Sequence, residues 1–269
     1  MRNASAINAP QNPAPSMRTY EQPLSERIRT FLRLESLFDQ VRHYARGESI
    51  WDSRAAIDGL LEILAILGRG DIRSEVMKEM ERQTSVLARL KSRSNVDTVR
   101  LGNVLNTLEL LTKKLGGNGS QIGRELREHE FLSSIRQRSS IPGGTCGFDL
   151  PALQHWLNQP AMLRQKTLNK WLEQIDPLWR SVTLLLMLTR ESAKPTNELA
   201  ESGLFQRGLD SANSCHLIRV AVNEKLNVFP EISGGKHRFT VRFLERTTMD
   251  ERAKQSERDI PFQLICCQL

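Results

Sequence analysis

The chain has 269 residues, 39 % of them hydrophobic and 26 % charged, a balance that builds a buried core and excludes both a disordered and a fibrous chain. Lys and Arg number 38 against 31 Asp and Glu, a net charge of +7, which favours an acidic partner without choosing among nucleic acid, anionic lipid and acidic peptide. The longest apolar run, Val182 to Leu188, is far short of the roughly 20 residues a bilayer span requires.

Residues 1–16 carry Pro10, Pro13 and Pro15 and no apolar stretch, which predicts a disordered lead rather than a secretory signal. Residues 17–24 read as a short strand closed by Pro23. Helical spacing follows. Ile28, Phe31, Leu34, Phe38 and Val41 recur at steps of three and four, with Ser25 placed to cap. A second helix is expected from Asp52, with Ile57, Leu60, Leu61, Leu64 and Leu67 as its stripe and Gly68 and Gly70 at its end. A third opens at Asp71, a fourth carries Leu101 to Leu115, and a fifth spans 121–138. Pro142, Gly143 and Gly144 then force a turn, and Thr145 to Leu150 reads as extended. Helices are predicted again at 151–157, 160–174 and 177–190, each opening on a proline.

From about residue 195 the period changes to two. Strands are expected at 203–208, 216–222, 226–229, 238–244 and 260–267, with the charged stretch 245–258 as a solvated loop. The clearest is Arg238 to Leu244. Phe239, Val241 and Phe243 share one side with His237, while Arg238, Thr240 and Arg242 extend Lys236 on the other. The fold class is therefore α+β, an antiparallel helical domain plus a smaller, mostly antiparallel and sandwich-like strand domain. The helical domain takes 25–138 with 151–194. The strand domain takes 17–24, 139–150 and 195–269.

Motifs for chemistry are missing. SGGK at 233–236 lacks the spacing of a phosphate loop, and HEFLS at 129–133 lacks the second histidine of a zinc protease. There is neither GxSxG nor GxGxxG, and no catalytic residue, metal ligand or cofactor is assigned. The four cysteines include no CxxC pair, so they read as reduced thiols. If Cys266 and Cys267 lie on a strand, one is buried and the other more exposed.

Arginine is what the chain places repeatedly. Arg29 and Arg33 share a helix face, Arg69 and Arg73 flank a helix start, and Arg136 and Arg138 precede the IPGG turn. Arg238 and Arg242 share a strand face about 13 Å apart. These residues either form solvated faces, with Arg238 and Arg242 guarding a strand edge, or converge on a groove that grips carboxylates or phosphates. A basic nucleic-acid-binding protein is the alternative of another class, but aromatic stacking platforms are not evident beside the helical arginine pairs.

Four segments carry a family resemblance: EQPLSERIRTFLRLE from Glu21, RGDIRSE from Arg69, IRQRSSIPGGTCGFDLPALQHWL from Ile135 and ISGGKHRFTVRF from Ile232. Together they resemble the ZapD family of Z-ring-associated proteins, from about residue 20 to the C-terminal cysteines. The resemblance implies a non-enzymatic, dimeric division factor, cytoplasmic and acting at midcell. It would bind the C-terminal tail of FtsZ and cross-link FtsZ filaments, with no nucleic acid or membrane as partner. Carried onto this chain, it implies Arg33, Arg69, Arg238 and Arg242 as contacts to the tail, with Arg73, Lys236 and His237 beside them and Arg136 and Arg138 holding the turn between the domains. The dimer interface is expected on the first helix, where Phe31, Leu34 and Phe38 can serve either partner or core.

Overall fold

A computed structural model describes residues 16–92, 96–117, 122–209, 215–235, 237–246 and 248–268. The expected lead falls almost wholly outside the described residues, as do Lys236 and the start of the fifth helix. The chain divides into a helical unit, Glu26–Arg190, and a strand unit, Met1–Ser25 with Glu191–Leu269.

The helical unit holds α1 (Glu26–Tyr44), α2 (Ile50–Arg69), α3 (Ile72–Ala88), α4 (Thr98–Gly116), α5 (Arg124–Glu128), α6 (Glu130–Ser139), α7 (Pro151–Leu157) and α8 (Ala161–Glu191). The stripe of α1 is buried throughout, so Phe31, Leu34 and Phe38 are core residues and not a dimer surface. Helix α2 starts two residues earlier than expected. Ser49 is its cap and Asp52 sits three positions in, each side chain bonding the other's backbone N–H. Asp71 caps α3 as predicted.

Charge pairs set the course of α8 along α1. Arg164 is 4 % exposed and donates to the carbonyls of Glu48 and Ser49. Asp176 meets Arg42 at 2.6 Å, and Glu35 accepts two bonds from Arg190 at 2.7 and 2.8 Å. As α8 advances its partners recede from the loop after α1, through Arg42, to Glu35, so the two helices run in opposite directions. Glu79 of α3 is fully buried and clamped by Arg27 of α1 at 2.8 Å and Arg82 at 2.7 Å.

Three local expectations are corrected. Pro177 does not open a helix but sits inside α8. Leu168, Trp171, Leu172, Ile175, Leu178, Val182 and Leu185 form one unbroken buried stripe, and that burial outweighs the one backbone bond a proline removes. The fifth helix is two, because His129 takes an extended backbone between α5 and α6 and its ring packs edge-on against Trp171. Residues 139–150 belong to the helical unit and form consecutive turns, with Ile141 donating to Arg138, Gly144 to Ile141, Cys146 to Gly143 and Leu150 to Cys146. Short-range bonds, made possible by Gly143 at φ 72°, replace the extended strand.

The strand unit contains β1 (Met17–Pro23), β2 (Thr196–Ala200), β3 (Leu204–Gly208), β4 (Cys215–Asn223), β5 (Val228–Gly234), β6 (Arg238–Glu245), β7 (Lys254–Gln255) and β8 (Ile260–Gln268). Two antiparallel sheets, β1-β4-β8-β2 and β3-β6-β5 with β7 beside β6, share one core. Ile218, Val220, Phe262 and Leu264 from the first sheet meet Phe239, Val241 and Phe243 from the second, which is a sandwich. Strand β2 has no counterpart among the predicted strands. The stretch 245–258 is more than a solvated loop: β7 pairs with β6, Ser256 is buried and donates to Phe243 O, and Arg258 meets Glu245 at 2.7 Å.

Candidate partner-binding site

In the strand unit the stretch Arg238 to Leu244 resolves into two rows. Phe239, Val241 and Phe243 point into the core, and Arg238 and Arg242 stand exposed on the other face. Strand β6 pairs with β3 on one side and β5 on the other, so these arginines guard no edge. Arg242 stands opposite Glu231 in the β5 register, yet neither Arg238 nor Arg242 makes an ion pair with a described residue. His237 is exposed rather than in the apolar row, and its carbonyl takes the Leu209 N–H at 2.7 Å.

In the helical unit Arg33 and Arg69 are likewise exposed, with no ion pair among the described residues. Arg33 is one turn from Arg29, whose guanidinium is taken by Glu26. Arg69 and Arg73 line one cavity of about 390 Å³ with Leu67, Asp71 and Ile122. Arg73 is committed to the fold. It donates to Leu115 O at 2.7 Å and Gly116 O at 3.1 Å, satisfying the end carbonyls of α4. Arg138 lies 3.7 Å from Asp149 and so ties the turn segment within the helical unit, not between two domains.

Of the arginines expected to contact a partner, Arg33, Arg69, Arg238 and Arg242 are exposed with no ion pair among the described residues, a state they share with Arg18, Arg46, Arg180 and Arg252. A planar donor fork of this kind matches a carboxylate. A second feature has no precursor in the sequence reading. Phe131, Trp156 and Trp171 lie with ring centroids 5.9 to 6.2 Å apart. They wall a cavity of about 370 Å³ beside Lys166 and Lys170. The Trp156 indole N–H finds no partner among the described residues. The available signal was Lys166 and Lys170 one turn apart, with Trp171 next in sequence.

The same spans, from α1 through the turn segment to β6, are those matched by a known sequence model. The ZapD model, described as a cell division protein, covers residues 32–242, more than half of the chain. The chain belongs to the ZapD family. Full-length relatives agree. Cell division protein ZapD of Methylococcus capsulatus is 43 % identical over 250 residues, 93 % of this chain and 98 % of its own. The ZapD of Aromatoleum aromaticum is 37 % identical over 252 residues, covering 93 % and 97 %. That of Coxiella burnetii is also 37 % identical over 252 residues, covering 93 % and 98 %. Among the described residues no helix of this ZapD-family chain is long and apolar enough to cross a membrane.

Proposed function

We propose that this protein is a non-enzymatic division factor that binds the C-terminal tail of FtsZ and, as a homodimer, cross-links FtsZ filaments into bundles at midcell. The observation that carries the reading is that Arg33 and Arg69 on the helical unit and Arg238 and Arg242 on the strand unit are exposed with no carboxylate partner among the described residues. They are the residues the family resemblance assigns to the tail. A tail of mixed acidic and apolar character supplies carboxylates for them, and its apolar side chains fit the aromatic cavity beside Lys166 and Lys170.

A disordered tail loses conformational entropy on docking, so one site binds it weakly. Two equivalent sites on a dimer turn weak capture into avidity along a filament whose tails are closely spaced. This mechanism needs neither nucleotide nor cofactor. Trp51 and Phe148, 71 % and 86 % exposed on the helical unit, are apolar surface of the kind an assembly covers.

Co-sedimentation with full-length and tail-truncated FtsZ tests the reading. The protein is expected to pellet with full-length filaments and to remain in the supernatant with truncated ones. Equal pelleting with both would exclude the tail as the ligand.

A further inference from the structure

The strand unit brings two cysteines together at the rim of its core. Cys215 begins β4 and Cys266 lies near the end of β8, two strands that pair antiparallel. A register shift between Cys215 and Leu217 inserts one extra residue, and such a bulge re-aims the side chain beside it. Both cysteines pack against the inter-sheet core as half-buried residues. Cys215 stands opposite Gln268, two residues beyond Cys266 on β8, so the two thiols are diagonal neighbours on the paired strands, near enough for each to perturb the other's ionisation, and Cys215 Sγ lies 3.5 Å from Leu217 O. Strand β2 pairs with β8 no further than Leu264, so Cys266 lies past its end. Arg207 of β3, ion-paired to Glu198 at 2.7 Å, adds positive charge nearby.

The two thiols are not equivalent. Accepting a hydrogen bond from Cys215 lowers the Cys266 thiol to about 7, against the pull of burial and with help from Arg207 that its ion-pair partner Glu198 opposes. Giving that bond, together with burial, pushes the Cys215 thiol up. A thiolate is the form of cysteine that peroxides oxidise. The other two cysteines lack this setting. Cys267 is fully buried, and Cys146 is 3.3 Å from the carboxylate of Asp149.

We propose that Cys266 is an oxidation site and Cys215 its resolving thiol, the pair closing to a cross-strand disulfide when a hydroperoxide reaches it. The Cys266 thiolate attacks the terminal peroxide oxygen and the O–O bond breaks. With hydrogen peroxide the departing hydroxide leaves as water and Cys266 becomes a sulfenic acid. The Cys215 sulfur then attacks the Cys266 sulfur. An S–S bond forms, the S–O bond breaks, and the hydroxyl leaves with the Cys215 proton as a second water. Two thiols have given two electrons to one peroxide.

The test is stoichiometric hydrogen peroxide on the reduced full chain, followed by thiol alkylation and peptide mass spectrometry without reductant. The expected product has lost two of the four thiols to a Cys215–Cys266 linkage within one molecule, with Cys146 and Cys267 alkylated. In Cys215→Ser, Cys266 is expected to stop at a sulfenic acid that dimedone traps, whereas in the unsubstituted chain the loss of the Cys266 thiol to peroxide rises with pH around 7 rather than near the ordinary thiol value. The unsubstituted chain decides the outcome even if the variant does not fold. Cys266 left reduced, or linked to Cys146, Cys267 or a second molecule, overturns the proposal.

Discussion

A guanidinium is available to a partner only when the fold does not already occupy it. Arg164 and Arg73 are occupied by backbone carbonyls, and Arg190 by Glu35. Arg33, Arg69, Arg238 and Arg242 have no such partner among the described residues. Residue type and spacing were legible in the sequence. Occupancy was not, because the groups that consume Arg73 lie 42 and 43 positions away. The aspartate caps make a separate prediction at this scale. Hydrogen bonds from Ser49 hold Asp52, and bonds from Ser74 hold Asp71, below the ordinary aspartate value of 3.8. A carboxyl whose folded value is depressed stabilises the fold above 3.8 and stops doing so as pH falls through the folded value. Thermal melts of the wild type should therefore lose Tm below about pH 4. Asp52→Asn/Asp71→Asn should start lower at neutral pH and lose less on acidification. An unchanged acid slope in that variant would remove the caps from the explanation.

Between elements, close approach is set by single residues. A Cβ on Gly59 of α2 would come 2.6 Å from Cγ2 of Val41 on α1, and Val41 is fully buried. Gly59→Ala should cost about 1–3 kcal/mol by overpacking, read in urea melts, and Val41→Ala in the same chain should recover part of it. A neutral Gly59→Ala would mean that α1 and α2 can separate at no cost. Elements whose pattern is periodic were legible. The stripes of α1, α2 and α4 and the alternation of β6 follow from residue spacing alone. Elements decided by distant contacts were not. Pro177 is carried through α8 because its neighbours on both sides face one core. Strand β2 exists because β8 pairs with it over Thr196 to Ala200, and its own sequence, TNELA, barely alternates. The turns of 139–150 are fixed by bonds over three or four residues, which period-two reading does not detect.

For the whole molecule, a net charge of +7 is large enough to bias capture of an acidic chain. The proposed tail binding draws on two separate pairs of arginines, one on each unit. The most direct measurement is titration of a fluorescent FtsZ tail peptide into wild type, Arg33→Glu/Arg69→Glu and Arg238→Glu/Arg242→Glu, with circular dichroism confirming that each variant is folded. Two lost contacts of about 1 kcal/mol or more each predict roughly thirtyfold weaker binding for either pair or worse, and wild-type affinity that falls as salt rises. Folded variants of both pairs that bind the peptide as tightly as wild type would contradict the account.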